Sequence, residues 1–310
     1  MLVRANNPVW KSFVLAYFCK KLNMIYLLLA ITVSTLILIC FKLFEKFRID
    51  DFTAISINYL VGAVLGFNFI SWDQSADRIM ASPWFMMSLL TGILLISGFV
   101  FFSISARRAG VALTAISSRM SVVIPVLLGL LFLNDKAGIV KIAGILLALV
   151  SLYLTLKKDK QEKFSWKVIW IPLAVFLFTG FNDSTVKLTQ HFFLAGKRNH
   201  DYISYAATSF LVAFIIGLIV SLVRLSRGAK ILNLRNLLAG SVLGIINWFS
   251  IYYLLKGFEV MQVSVFIPIM NISVVGLSSI IGFLVFKEEL RRINWIGIFL
   301  AFIAILFIAL

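Results

Sequence analysis

An arginine lies inside an apolar segment of this sequence, at position 119 in ALTAISSRMSVVIPVLLGL. It follows Gly110 by nine residues, roughly 14 Å along a helix, which is close to the middle of a bilayer. A charge at that depth costs at least about 2.5 to 3.5 kcal/mol, so it needs a partner, a wet cavity or a function. Because the planar guanidinium can bind a carboxylate through two parallel hydrogen bonds, we predict that Arg119 binds substrate. The alternatives are a structural arginine on backbone carbonyls loosened by Pro125, or one that reaches the interface.

A second polar stretch, FTGFNDSTVKLTQHF, interrupts a later apolar segment with Asn182, Asp183 and Lys187. Asp183 and Lys187 are four residues apart, a spacing that puts an acidic and a basic side chain on one helix face. We predict that Asn182 contacts substrate, and that Asp183 is a protonatable coupling group or the ionic partner of Lys187 or Arg119. The alternative is a helix that has already reached the interface, where an exposed ion pair contributes little.

Neutral polar residues offer weaker signals. We predict that Asn247 and Asn271 orient a bound solute and that Trp248 supplies an apolar wall. Interhelical hydrogen bonding, at about 0.6 kcal/mol per bond, is the alternative for the two asparagines. Small-residue pairs of the GxxxG type favour packing within the chain over a homodimer, which stays the alternative; they are Gly62 with Gly66 and Gly240 with Gly244.

Several kinds of site have no support. The sequence contains no Gly-Lys-Ser/Thr run for a nucleotide, and its two histidines, His191 and His200, have no metal-ligand spacing. Its two cysteines, Cys19 and Cys40, make no disulfide framework. Because catalytic groups are not clustered either, we expect no cofactor, no metal and no enzymatic activity.

The composition indicates where these residues work. Hydrophobic residues make up 61% of the chain and charged residues 14%, with a mean hydropathy of +1.02. Soluble domains are about 45 to 50% apolar, so we predict an integral membrane protein with the lipid bilayer as its surroundings. The net charge is +16, but the basic residues lie between apolar runs, so no nucleic-acid partner is expected.

Ten apolar segments are long enough to cross a bilayer, which takes about 17 to 25 residues. They are too long and continuous for barrel strands, so we predict an all-α membrane protein with ten transmembrane helices. The segments are 24–43, 54–72, 84–105, 110–133, 138–156, 167–187, 202–224, 236–256, 262–286 and 293–310.

The two sets of five segments share an ordered pattern. NDKAGIVKIAGILLAL at 134–149 aligns with KEELRRINWIGIFLAF at 287–302, which places Asp135 on Glu288 and Gly144 on Gly297. Because five is odd, the second set enters the membrane from the opposite side, as in transporters built from inverted repeats. We therefore divide the chain into an extension at 1–23, which an over-assigned start would also explain, a first repeat at 24–156, a basic linker at 157–166 and a second repeat at 167–310.

The stretch SVVIPVLLGLLFLNDKAGIVKIAGILL, with its spacing of Pro125 and Asp135, resembles the drug/metabolite transporter superfamily, in particular EamA-like permeases. The resemblance covers residues 24–310, although Asp135 stands where the family more often has Glu, and Ser278 matches Pro125. It implies structural roles for Pro125, Asp135, Gly144, Glu288 and Gly297. It also implies a cavity lined by the third, fourth, eighth and ninth segments.

The resemblance implies a bacterial plasma-membrane transporter that works by alternating access. Its expected substrate is a small metabolite, an amino acid or related carboxylate, and its expected direction is export. A flippase for lipids or lipid-linked sugars and a scaffold that transports nothing are the alternatives.

Lysine and arginine residues are concentrated in the odd-numbered connections between segments. The positive-inside rule then predicts a cytoplasmic central linker with both termini outside, whereas the resemblance implies cytoplasmic termini.

Overall fold

The computed structural model of the protein describes residues 8–68, 76–132, 138–156, 166–194, 199–228, 233–260 and 263–309. Within these ranges the secondary structure is helical, with no strand. The helices are α1 (Pro8–Lys46), α2 (Asp51–Asn68), α3 (Ala76–Met80), α4 (Phe85–Arg108), α5 (Val111–Met120), α6 (Val123–Phe132), α7 (Ile139–Leu156), α8 (Trp166–Thr189), α9 (Asn199–Ser226), α10 (Leu234–Val260), α11 (Val263–Leu284) and α12 (Arg292–Ala309), with a π-helical turn at Gln190–Leu194. Asp135 and most of the predicted linker lie outside the described residues.

Long apolar helices dominate the chain, as the composition predicts. Among the described residues, five stretches are long and apolar enough to cross a membrane, namely Met24–Lys46, Phe85–Arg108, Val111–Phe132, Asp201–Ser226 and Leu234–Leu254. Shorter apolar helices are Ile139–Thr155, Ile269–Leu284 and Arg292–Ile308. The protein is therefore a multi-pass integral membrane protein. The total of ten crossings stays a prediction.

The helices pack between the two predicted repeats as much as within them. α1 lies against α10 and α11, α2 against α9 and α10, and α4 against α8 and α9. α5 contacts α8 and α11, while α7 packs along α12. The interior is therefore built from both repeats, and a site at the centre would take residues from each.

The close packing of α7 against α12 explains why both aligned positions are glycines. A Cβ atom added at Gly144 would lie 2.8 Å from the backbone nitrogen of Ile308 on α12. A Cβ atom at Gly297 would lie 2.8 Å from the backbone nitrogen of Thr155 on α7. The hydroxyl of Ser151 donates to the carbonyl of Gly297 at 2.8 Å. Each glycine thus permits close backbone approach by the equivalent helix of the other repeat.

The predicted segment 110–133 is not one continuous helix. It divides into α5 and α6, with a turn at Ser121 and Val122. Pro125 has no N–H to donate to the carbonyl of Ser121; that carbonyl accepts from the Ile124 amide at 2.9 Å instead. The turn comes directly after the end of α5, where Arg119 lies.

The small-residue pairs face helices of the same chain. Added Cβ atoms at Gly240 and Gly244 of α10 would meet the backbone carbonyls of Ala54 and Asn58 on α2, at 2.6 and 2.8 Å. Gly66 of α2 faces Ala207 and Trp248. These glycines allow α2 to pack tightly against its neighbours.

Candidate functional site

Arg119 and Asn271, both predicted to bind substrate, lie together in the interior. The Arg119 guanidinium, on the last turn of α5, donates a hydrogen bond of 3.1 Å to Oδ1 of Asn271 on α11. Asn271 is buried, with 7% of its surface exposed. Because α5 and α11 belong to different predicted repeats, this pair joins the two halves at a point that neither half could form alone.

Asp183 projects from α8 towards the interior. The exposed residues Trp170, Leu173, Leu177 and Phe181 recur every three or four positions and mark the outward apolar face of α8. Asp183 follows Phe181 by two residues, roughly 200° further around a helix, so it points to the opposite side. Its side chain is nevertheless exposed. Its exposed surface therefore lies away from the outward apolar face of α8.

Asn182 extends this polar surface. Its amide group lies beside the Asp183 carboxylate, which can only accept hydrogen bonds, so the amide nitrogen is the end that favours the charged carboxylate. The other end, Oδ1, is buried and has no hydrogen-bond partner in the described part of the chain. Asn182 lines a cavity of about 100 Å³ between α4, α5 and α8, together with Ser118, Thr179 and apolar residues of α4. The site thus holds an unused acceptor.

The charged side chains of Arg119 and Asp183 attract each other but do not form an ion pair. Asp183 and Arg119 are near enough for a direct electrostatic interaction. They form no ion pair within 4.0 Å, although both are described residues. The structure therefore places the Arg119 guanidinium beside the Asn271 amide, and the Asp183 carboxylate beside the Asn182 amide.

Lys187 lies one turn beyond Asp183 and ties α8 to the start of α6. Its ammonium donates to the carbonyl of Pro125 at 3.4 Å. The groups that act on the Asp183 carboxylate are Arg119 and Asn182. The ionic partnership of Asp183 with Arg119 or Lys187 and the role of Asp183 in coupling stay predictions.

Asn247 and Trp248 pack within the helix framework. The Asn247 amide donates to Oδ1 of Asn58 at 3.2 Å, between α10 and α2. Trp248 is 3% exposed and its ring lies edge-on to Phe210, with centroids 6.4 Å apart. These contacts match the alternative of interhelical packing. A contact of either residue with substrate stays a prediction.

Glu288 connects the end of α11 with the start of the helix that carries Arg119. Its carboxylate accepts hydrogen bonds from the backbone amides of Val111 at 2.7 Å and Ala112 at 3.3 Å. The Lys42 ammonium lies 3.7 Å from the same carboxylate. Gly110 has φ +105, and a Cβ atom there would lie 2.8 Å from the carboxylate. The predicted structural role of Glu288 therefore has a concrete form, an anion on a helix N-terminus.

Two further ion pairs at the same end of the molecule were not predicted. Asp51 accepts a hydrogen bond from Arg107, and Arg224 donates two hydrogen bonds to Asp50, at 2.8 and 2.7 Å. Burial alone would raise the pKa of the Asp50 carboxyl, but hydrogen bonds from Arg224 and Thr53 lower it to about 2. Each of these residues is at a helix end, and the sequence alone would place such a residue in water at the membrane interface.

Three comparisons with known proteins give a family, a relative and a similar fold. A model of the EamA-like transporter family matches residues 21–157 and 166–310. An uncharacterized protein of Haemophilus influenzae is 26% identical over 285 residues, which cover 90% of this chain and 95% of that protein. A crystal structure superposes with a TM-score of 0.54 over 90% of this chain and 97% of the other, at 12% identity, a likeness of fold alone.

Proposed function

Because the chain belongs to the EamA-like transporter family, we propose that it is a secondary-active transporter that exports a small metabolite by alternating access. The substrate is an amino acid or a related carboxylate. Ten transmembrane helices form two inverted repeats that rock around an internal site. A different energy source finds no support, since the sequence has no Gly-Lys-Ser/Thr run for a nucleotide.

The helix packing supports the inverted repeats. We match α1, α2, α4 and α7 in order with α8, α9, α10 and α12. Replacing each helix by its match then converts one observed contact into another observed contact. The contact of α1 with α10 becomes that of α8 with α4, and the contact of α2 with α10 becomes that of α9 with α4. The α2–α9 and α7–α12 contacts map onto themselves. Such exchange is the expected result of a two-fold relation between halves.

The observation that carries the proposal is the Arg119–Asn271 hydrogen bond between the halves. Transporters of this architecture bind their solute near the midplane, at the interface of the repeats. A guanidinium there can bind a carboxylate with paired, charge-assisted hydrogen bonds. Its partner in the described structure is a neutral amide, which leaves the charge available to an anionic solute.

The test compares metabolites inside and outside bacterial cells that express the wild type or the Arg119→Ala variant at equal membrane levels. We expect wild-type cells to accumulate one or more small carboxylates in the medium, and the variant to lower their export by about tenfold or more. A hydrogen bond to a charged group contributes about 1.5 to 3 kcal/mol, and about 1.4 kcal/mol corresponds to a factor of ten.

The matched control is Arg108→Ala, which removes an exposed arginine from the end of α4. This control should export as the wild type does. Equal export by the wild type and the Arg119→Ala variant would assign Arg119 to structure. A medium unchanged in every small carboxylate would contradict the proposed substrate class and favour a flippase or a scaffold.

A further inference from the structure

We propose that the internal site recognises a zwitterion: Asp183 and Asn182 bind a cationic amine while Arg119 and Asn271 bind a carboxylate of the same solute. This inference rests on the proposed transport function and narrows its substrate to amino acids and similar zwitterions. Simple carboxylates without an amine are excluded.

The first argument is the chemistry of the two sides. On one side, Arg119 offers donors only, and Asn271 already accepts one of them. On the other, Asp183 offers two acceptor oxygens, and the Oδ1 atom of the neighbouring Asn182 has no hydrogen-bond partner among the described residues. A protonated primary amine has three donors and no acceptor, so it suits the second side and not the first.

The second argument is the unused acceptor. Burying an amide oxygen without a hydrogen bond lowers the stability of the folded protein, because the oxygen loses its hydrogen bonds to water. The Oδ1 atom of Asn182 is in this state beside a cavity that the side chain itself lines. A bound ammonium would donate one hydrogen bond to this atom and others to the adjacent carboxylate. The cavity therefore has an acceptor placed for a cationic donor.

The third argument is the separation of the charges. Asp183 and Arg119 attract each other but form no ion pair within 4.0 Å. A solute with both charges could neutralise both residues at once. A simple carboxylate would neutralise Arg119 and place a second negative charge near Asp183. The arrangement therefore rejects such anions by repulsion as well as by a missing contact.

The experiment uses the purified full chain in proteoliposomes and measures counterflow, so that no driving ion needs to be known. The probes are the twenty proteinogenic L-amino acids and, for each one transported, the matching α-hydroxy acid and N-acetyl amino acid. We expect the wild type to carry at least one amino acid, with its two analogues carried about tenfold more slowly or worse, the size of losing a charged hydrogen bond.

The Asp183→Asn variant should lower the ratio of amino acid to hydroxy acid transport by at least about tenfold. The Asp77→Asn variant, which alters an exposed carboxylate on α3, should leave that ratio unchanged. Asn182→Leu removes only the unpartnered acceptor and its neighbouring donor, so it should move the ratio in the same direction. It also serves as the test if Asp183→Asn does not fold.

The outcomes separate this inference from the transport function. Equal wild-type transport of an amino acid and its hydroxy acid would overturn the zwitterion site and leave carboxylate transport standing. A loss of both substrates in equal proportion in the variants would also overturn it, and would assign Asp183 to the transport cycle. No counterflow of any amino acid or hydroxy acid would overturn both proposals.

Discussion

Asp50 shows how a single carboxylate can hold several helix ends together. Its Oδ1 accepts from the backbone amide of Thr53 at 2.9 Å, which caps the start of α2, and its carboxylate binds Arg224 at the end of α9. Its own backbone N–H donates to Oδ1 of Asn236 near the start of α10, at 3.0 Å. Three helices therefore depend on one residue in a short connection.

We expect the Asp50→Asn variant to lower the melting temperature in detergent micelles at pH 7. The pKa of Asp50 is lowered from 3.8 to about 2 in the folded protein, so the ionised form is favoured by folding. The stabilisation is fully present above about pH 4 and is lost as the pH falls towards 2. Since 29% of the side chain is exposed, its contribution is about 1 to 2 kcal/mol after allowance for screening.

The difference in melting temperature between the wild type and Asp50→Asn should therefore shrink as the pH is lowered from about 4 towards 2. Asp77→Asn, an exposed carboxylate on α3, is the control and should melt like the wild type at both ends of the range. A difference that stays constant with pH would show that the ionised form of Asp50 does not matter.

At the residue scale, the sequence identifies charges more readily than partners. Arg119 and Asp183 are identifiable because an ionisable side chain is costly in an apolar segment. The bond from Arg119 to Asn271 joins residues 152 positions apart, and no periodicity predicts such a contact. Asn182 was predicted, but its unpartnered Oδ1 became visible only once its neighbours were placed.

At the scale of helices, close approach in the α7–α12 pair is the feature most open to test. We expect Gly297→Ala to lower the melting temperature in detergent micelles, because the new methyl group would lie 2.8 Å from the backbone nitrogen of Thr155 and 3.1 Å from the carbonyl of Ser151. Backbone atoms cannot rotate away as a side chain can, and overpacking of this kind costs about 1 to 3 kcal/mol.

Gly138→Ala is the matched control for this substitution, since an added Cβ atom at Gly138 has no atom within 4 Å. That variant should melt at or slightly above the wild-type temperature, because alanine restricts the unfolded chain. Equal melting temperatures for the two alanine variants would mean that α7 and α12 are not in the close contact described.

Helix boundaries can be predicted from the sequence where the apolar runs are continuous. The prediction is wrong where backbone hydrogen bonding ends a helix inside such a run. The apolar run 110–133 predicts one helix, yet Pro125 and the turn at Ser121 divide it. Pro172 lies inside α8 without ending it, so the presence of proline alone does not predict the break. Glu288 adds a contact that a sequence cannot supply, since it caps α5 from 176 positions away at Ala112.

For the whole molecule, three ion pairs between described residues lie together at one end of the bundle, the ionic end. Asp50 with Arg224, Asp51 with Arg107, and Lys42 with Glu288 all lie at or near the odd-numbered connections. Near the even-numbered connections, aromatic and hydroxyl groups meet, as in the contact of Trp84 with Tyr205. The aligned pattern of the two halves predicts their relation, whereas these three ion pairs depend on side chains that the pattern does not share.

The side of the membrane on which the ionic end lies can be measured directly. α9 has 28 residues, about 42 Å of helix, which exceeds the roughly 30 Å hydrocarbon core. Gln190 precedes it and Arg227 follows it, and both are exposed. They should therefore lie on opposite sides of the membrane. The concentration of basic residues in odd-numbered connections predicts that Arg227 is cytoplasmic and Gln190 external.

We expect a membrane-impermeant maleimide to label the Gln190→Cys variant in intact bacterial cells, and the Arg227→Cys variant only after permeabilisation, each with Cys19 and Cys40 replaced by serine. The unsubstituted double-serine background is the control and should stay unlabelled. Labelling of Arg227→Cys alone in intact cells would place the ionic end outside and the termini in the cytoplasm. Proposed export would then need the internal site to open to the cytoplasm at the even-numbered connections, near the contact of Trp84 with Tyr205.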